Sequence, residues 1–510
     1  MSAPIQATLQ PERDAWELFR LALPIIGMTI SRMAMGFIDF VMVSALGTEA
    51  QAAISPATLF VFTLACLGMG VANSVQTFVA QADGRGDPRL AGAYTWQSAY
   101  IAALFTLATW PAAATLPSWM TWIASAAAHE PAVAAMEIEY LRYALWSVPP
   151  AVLCAGLQGF FNGVQKPRIA LFAMLASLIV NAAGNYLLIY GAFGFPEMGI
   201  AGAGLATVIG WVVRAAVLLW ALLLPEFDAA YQTRGSYAFD WGKLRGIARI
   251  GAPTAVMWLL DIGSWVLFLS VIVPFYGKVA MAASNIAQQY MHMAFMPALG
   301  IGMALCSQVG YAIGDGRPER AAARTRVAMR MTGFYMGAMG LVFLLAGGPL
   351  MRLLTSDPEV IRMGRIVLLW AAIFQVSDAM CITYMNALRG AGDTLWPAKM
   401  VAIVGWLVFA CGGYSMRYVA PQWGINGPWL TCALNIILIG LLLRRRWLGG
   451  AWRSIRLLAD DGSGAAAGGG ASTEPAAPVA APVAATEATL AAPVVPRDAL
   501  LATKIPEGGA

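Results

Sequence analysis

Asp39, Asp261 and Asp378 each stand in a stretch of chain that is otherwise almost free of charge. An aspartate at the centre of a membrane helix costs about 2.5–3.5 kcal/mol on insertion scales. Three such costs point to carboxylates that work, and the work open to them is holding a cation or a proton on a transport route. Desolvation disfavours the bare anion, so a proton, a sodium ion and a cationic solute compete for one negative charge. That competition, combined with alternating access, is sufficient for antiport. Asn181 and Asn185 are four residues apart and share a helix face. Their amide oxygens, like the hydroxyl of Thr207, suit a hard cation without adding charge.

Other polar residues carry two readings. Arg32 sits seven residues before Asp39 on the same face, so its long side chain has the reach to form a structural ion pair with it. His292 is a proton relay or a packed, hydrogen-bonded histidine. Gln288 and Gln289 line a cleft or join neighbouring helices. The 26 methionines, Met28, Met35, Met291, Met293 and Met296 among them, form an adaptable binding surface or plain apolar filling. Enzymatic readings find little support. The chain has no phosphate-binding GxxxxGK[ST] loop. Its two histidines and six scattered cysteines show no zinc spacing. The cysteines read as small packing residues, and no resident cofactor or nucleic-acid partner is expected.

The elements that must position these residues are membrane helices. Of 510 residues 59% are hydrophobic and 12% charged, with mean hydropathy +0.67; a soluble domain carries about twice that charge fraction. The apolar runs are too long for barrel strands, which leaves helices as the spanning element. Twelve are expected, at about 16–44, 52–80, 92–117, 132–157, 165–191, 197–224, 247–275, 279–312, 322–350, 359–387, 394–418 and 425–447. Residues 1–15 and 448–510 flank them. The tail from about 460, rich in Ala, Pro, Gly and Thr, has too little apolar content to build a core and is expected to be disordered. The first apolar run is too long for a cleavable signal peptide. Lys and Arg concentrate at one set of loops (Arg85, Arg89, Lys166, Arg168, Arg234, Arg317, Arg320, Arg324, Arg444, Arg446), which predicts that both termini are cytoplasmic.

The chain also repeats itself. Gly47, Ala50, Ala53, Gly70, Gly84, Gly86 and Pro88 recur as Gly277, Ala280, Ala283, Gly300, Gly314, Gly316 and Pro318, at a constant offset of 230. Pro196-Glu-Met-Gly199-Ile-Ala-Gly202 matches Pro421-Gln-Trp-Gly424-Ile-Asn-Gly427, and Pro24 corresponds to Pro253. Duplication is the simplest source of collinear blocks. Two lobes follow, residues 16–224 and 247–447, joined by a polar linker at 225–246. With six helices each, both enter from the same side and rock about a central cleft.

Gly36-Phe-Ile-Asp39-Phe-Val-Met-Val-Ser-Ala-Leu-Gly47 resembles the first-helix signature of the multidrug and toxic compound extrusion (MATE) transporters. So do Asn181-Ala-Ala-Gly-Asn185, Gly202-Ala-Gly-Leu-Ala-Thr207, Gly251-Ala-Pro253 and Leu388-Arg389-Gly390-Ala-Gly-Asp393-Thr394. The resemblance implies an all-α, two-lobed fold of twelve helices in a bacterial inner membrane. It implies a monomer among lipids that exports small organic cations in exchange for protons or sodium. It groups Asp39 with Asn181, Asn185 and Thr207 as one coupling site, and Asp261 with Asp378 as another, able to hold sodium between them. In one bacterial branch of the family Glu usually stands in place of Asp261, and some members have Asp in place of Asn185. Pro24 and Pro253 are expected hinges; Arg32, Met35, Gln288, Gln289 and His292 are expected around the substrate cleft. A lipid-linked precursor flippase or metabolite exporter on the same architecture is the alternative. It would favour several arginines in the cleft, where of Arg32, Arg142 and Arg214 only Arg32 is expected to be well placed. A membrane-embedded enzyme or receptor scaffold finds no catalytic cluster.

Overall fold

The computed structural model describes residues 11–126 and 130–458, with side chains described from 15 to 121 and from 130 on. The expected segment before residue 11 and the tail from 459 lie outside the described residues. Twelve long helices make the bundle. In chain order these are α1 Pro11–Ser44, α2 Thr48–Arg85, α3 Pro88–Ala114, α4 Pro131–Gly163, α5 Pro167–Tyr190, α6 Gly199–Leu222, α7 Trp241–Tyr276, α8 Lys278–Gly314, α9 Pro318–Arg352, α10 Pro358–Ala391, α11 Leu395–Val419 and α12 Asn426–Leu448. Among the described residues, eleven of them are long and apolar enough to cross a membrane. The twelfth, α3, has 27 residues but buries Tyr94, Thr95, Gln97 and Ser98 inside the first lobe. At about 1.5 Å rise per residue even the shortest spans a hydrocarbon core of about 30 Å.

Sequence punctuation sets the turns. Gly86 (φ 77°) and Gly316 (φ 70°) adopt the left-handed conformation that ends α2 and α8. Two residues later Pro88 and Pro318 occupy the first helical position of α3 and α9, where the missing N–H costs nothing. Asp87 caps α3 by accepting a hydrogen bond from the Leu90 N–H at 3.1 Å. Pro24 and Pro253 lie inside α1 and α7, and neither ends its helix.

Helices α1–α6 pack as one lobe and α7–α12 as the other. The lobes meet where α1 touches α8, α2 touches α7, and α2 touches α8. The contacts are reciprocal. A Cβ on Gly84 would stand 2.1 Å from the carbonyl oxygen of Tyr311; one on Gly314 would stand 2.1 Å from that of Gln81. Gly70 lies against Ala255, and Gly300 against Ile26. Each pair maps onto the other through the 229–230 offset of the sequence repeat, so the duplicated blocks face each other across a pseudo-twofold axis.

One expectation shifts at the edges. The linker is shorter than 225–246: Pro225–Tyr231 is a short helix and α7 begins at Trp241. Phe227 and Tyr231 bury their rings against Phe160 and Phe161 of α4, and the Trp96 indole donates to the Thr233 carbonyl at 2.6 Å. Apolar anchors, invisible as periodicity, dock the linker on the first lobe. After α12, Trp452 stacks on Trp447 with centroids 4.2 Å apart, and Leu457 reaches Gly392.

Candidate functional site

The lobes are closed at one end and open at the other. At the closed end Gln76 Nε2 donates to Ser307 Oγ at 2.8 Å and to the Met303 carbonyl at 2.9 Å. Thr77 Oγ1 donates to the Arg389 carbonyl and Gln81 Nε2 to the Gly390 carbonyl, each at 3.0 Å. Arg324 pairs with Glu17 across the lobes at 3.3 Å. Moving along the helices, Thr29 Oγ1 to the Met296 carbonyl (3.4 Å) is the last side-chain hydrogen bond between lobes among the described residues. Beyond it an apolar groove of about 320 Å³ separates Pro56, Leu59, Phe60 and Thr63 of α2 from Leu259, Ile262, Gly263 and Val266 of α7. Arg32, Asp261, Gln289 and His292, all mid-helix, are exposed. In a bundle of apolar helices such exposure marks a cleft.

In the first lobe Asp39 comes down α1 onto α5. Asn185 Nδ2 donates to Asp39 Oδ1 at 2.5 Å, and Asn181 lies close enough to act on the same carboxylate. Both asparagines are fully buried, and both side-chain polar atoms of Asn181 lack a protein partner. Close packing explains the placement: Gly210 of α6 lies against Asn181 and Ser177, and Gly184 lies against Ala206. Two residues absent from the sequence reading complete the site. The Tyr140 hydroxyl of α4 accepts from Thr58 Oγ1 of α2 at 3.3 Å and lies within electrostatic reach of Asp39 and of Thr207. No spacing rule finds Tyr140, because it arrives from another helix. Thr207 also back-bonds to the Ala203 carbonyl at 2.9 Å. The site therefore offers one carboxylate and a set of neutral oxygens.

Arg32 does not pair with Asp39. Its guanidinium stacks over Phe62 at 5.4 Å and Trp211 at 5.9 Å. Seven residues, about 10 Å of helix, separate the two charges along α1, and the amide of Asn185 already holds the carboxylate.

In the second lobe Asp261 of α7 and Asp378 of α10 are near enough for their charges to interact, and both act on Cys381 and Cys432. Neither has a hydrogen-bond or ion-pair partner among the described residues. Gln375 Nε2, one turn before Asp378, and Asn435 Oδ1 are buried without protein partners. Beyond Asp261 the helix α7 widens into a π turn at Phe268–Ile272, and α11 does so at Gly405–Cys411. The Phe268 and Phe409 rings meet there at 4.6 Å. Single-turn π segments recur at functional sites; among the described residues the first lobe has none. No cluster of three or more His, Cys, Asp or Glu suited to a metal ion occurs among the described residues.

The remaining expected residues divide. His292 of α8 lies within electrostatic reach of Arg32, and both it and Gln289 are exposed. Gln288 buries an Oε1 without a partner. Met35 turns into the core of the first lobe, 8% exposed, because its face of α1 is the one that packs.

The MatE family model matches residues 24–187 and 253–412, one segment in each lobe. The chain is 29% identical over 444 residues to the "Probable multidrug resistance protein NorM" of Idiomarina loihiensis, covering 84% of this chain and 94% of that one. It is 30% identical over 449 residues to the protein of the same name from Rhizobium meliloti, with 86% and 92% covered. Among solved structures, an outward-facing multidrug resistance MATE family transporter of the MOP superfamily superposes with TM-score 0.77 at 18% identity, covering 87% of this chain and 97% of that one. A MATE complex with MaL6 superposes at 0.76 and 20% identity, with 87% and 98% covered. Both halves of the sequence and the whole bundle thus agree, and the chain is a multi-pass membrane protein that belongs to the MatE (multidrug and toxic compound extrusion) family.

Proposed function

We propose that the protein is a secondary antiporter that exports organic, predominantly cationic, compounds across the bacterial inner membrane in exchange for protons or sodium. The observation that carries this reading is the pair Asp261 and Asp378. Two mutually repelling carboxylates lie within membrane-spanning helices with no basic partner among the described residues, so a mobile cation has to supply the opposite charge. Asp39 repeats the arrangement with neutral neighbours in the other lobe. The closed end carries the Arg- and Lys-rich loops, which on the positive-inside rule is the cytoplasmic end; both termini are then cytoplasmic and the cleft faces outward. Pro24 and Pro253, at equivalent depths in α1 and α7, are the natural points for those helices to bend as access alternates. The names of the NorM relatives support multidrug substrates. At Asp39 a single carboxylate with neutral oxygens favours the proton as coupling ion; sodium remains suited to the paired acids. A lipid-linked precursor is a weaker reading, because the wall formed by the second lobe is acidic.

The test is uptake of a fluorescent organic cation into everted vesicles under a proton gradient without sodium, and under a sodium gradient without a proton gradient. Export driven by either gradient, and lost in Asp378→Asn at equal expression, is expected. Uptake indifferent to both gradients would refute antiport.

A further inference from the structure

Away from the cleft, the outer end of the second lobe collects positive charge. Lys and Arg concentrate at the cytoplasmic loops, and basic residues outside run against that bias. Yet Arg352, Arg362 and Arg365 gather at the single turn that joins α9 to α10. Arg362 and Arg365 are exposed, three residues apart on one face of α10, and lie within its first two turns. Among the described residues neither makes an ion pair or a side-chain hydrogen bond. The acids of that turn do not supply one. The Asp357 carboxylate caps α10, accepting from the N–H groups of Glu359 and Val360 at 2.9 and 3.5 Å, and Glu359 is exposed. The fold does not ask for these charges either. Counted from Pro131 and Pro358, which open α4 and α10, the equivalent positions in the first lobe hold Ala135 and Ile138.

Both arginines border a groove of about 360 Å³ between α9 and α10. The stem of Arg365 lies against Gly348 of α9, where a Cβ would meet its Cδ at 3.3 Å, so a bare backbone on one helix makes room for the arginine of the other. Deeper along both helices the lining turns apolar, with Phe343 and Leu344 on α9 and Ile366 and Leu369 on α10. The groove opens sideways to the bilayer, since Leu344, Leu345 and Leu369 are 54%, 73% and 44% exposed. A trough with unpaired cations at its outer end and hydrocarbon below matches a molecule of the same polarity. We propose that the α9–α10 groove is a binding site for an anionic phospholipid of the outer leaflet. Arg362 and Arg365 hold the phosphate, and the first part of one acyl chain lies along Leu344, Ile366 and Leu369. Guanidinium forks pair with phosphate oxygens through charge-assisted hydrogen bonds. Two unpaired positive charges favour a headgroup of net negative charge over a zwitterionic one, whose ammonium offsets its phosphate. A groove of this size is at the lower end of ligand pockets; it takes the headgroup and a few methylenes while the rest of the lipid stays in the bilayer. The assignment to the outer leaflet rests on the orientation proposed above; the binding chemistry does not.

The test is native mass spectrometry of the full-length protein in mild detergent, titrated with dioleoyl phosphatidylglycerol or dioleoyl phosphatidylcholine, with inorganic phosphate as competitor. The parent should retain phosphatidylglycerol about tenfold or more tightly than phosphatidylcholine, and phosphate should not displace it. Arg362→Gln combined with Arg365→Gln should bring the two lipids within about twofold of each other; the paired Lys substitutions should keep part of the preference. Gly347→Leu should weaken both lipids alike by filling the groove, since a Cβ there has only ordinary contacts, the nearest 3.6 Å to Leu368 Cδ1. Arg352→Gln, exposed at the same turn but not lining the groove, should change neither affinity. Each variant should melt without lipid at the temperature of the parent, which reports that it is folded. Equal affinity of the parent for the two lipids would overturn the proposal. So would an equal loss in Arg352→Gln, the mark of diffuse surface charge, or displacement by phosphate, the mark of a soluble-anion site. Because binding is read in detergent, a failure of antiport in vesicles leaves this result standing.

Discussion

Gly84→Ala should open the closed end of the cleft. The added Cβ would lie 2.1 Å from the Tyr311 carbonyl oxygen and 2.9 Å from its carbon. Even a favourable carbon–oxygen contact needs about 3.3 Å, so the two helices must retreat by about 1 Å. The obstacle is backbone, and no side-chain rotation relieves it. Overpacking of this kind costs on the order of 1–3 kcal/mol. The strain exists only while the lobes touch, so it acts on one state and shifts the equilibrium between closed and open ends by roughly 5- to 150-fold. Gly314→Ala should do the same, since its Cβ would meet the Gln81 carbonyl at 2.1 Å. Both relieve their strain by one opening, so the double variant should fall short of additivity. Gly36→Ala is the control: it adds a methyl on α1 with no other atom within 4 Å. The assay is the distance distribution between spin labels at Arg89 and Glu319, exposed positions just beyond the two facing turns. The parent should show one short distance; Gly84→Ala and Gly314→Ala should add a longer one and slow export. Unchanged distributions and unchanged transport in both variants would refute the reasoning.

Asn185→Ala removes the 2.5 Å hydrogen bond to Asp39; export should fall severalfold and its dependence on proton concentration should move, whereas an unmoved pH profile would separate Asn185 from coupling. Asp261→Glu should retain partial export and Asp261→Ala none, measured in vesicles at equal expression. At the start of α7, Asp240 caps the helix by accepting from the Lys243 N–H at 3.1 Å and pairs with the Lys243 ammonium, which holds its carboxyl below the usual aspartate range. A carboxyl depressed in the folded state stabilises above its unfolded value and loses that contribution as pH falls through the folded one. The stabilisation should therefore be complete above about pH 4 and fade as the pH falls below it, so Asp240→Ala should lower the melting temperature at pH 7 by more than it does in acid. Trp452→Ala deletes a 2% exposed indole stacked on Trp447 and should cost about 3–5 kcal/mol, read as a lower melting temperature. Removal of residues 460–510 should leave transport unchanged.

Much of this molecule is legible in its sequence because a bilayer admits so few structures. Long apolar runs have to be helices, and the 230-residue repeat with Pro24 and Pro253 already implies two lobes facing each other across an axis. The carboxylates Asp39, Asp261 and Asp378 stand out because a charge in hydrocarbon is costly, and Asn181 and Asn185 because they are four apart on one helix. What the sequence leaves open is everything that depends on which face of one helix meets which face of another. Tyr140 and Thr58 join Asp39 from α4 and α2. Arg32 turns from Asp39 to Phe62 and Trp211, and Met35 turns inward. Arg214 was visible as a charge within α6 but read as badly placed, since nothing local tells that its ring partner Trp211 is shared with α1. The depth at which the lobes close was equally hidden, because the glycines that let α2 and α8 touch look in sequence like any small residues of a membrane helix. Periodicity and cost along the chain are local properties; the crossing of helices is decided by packing between residues far apart in it.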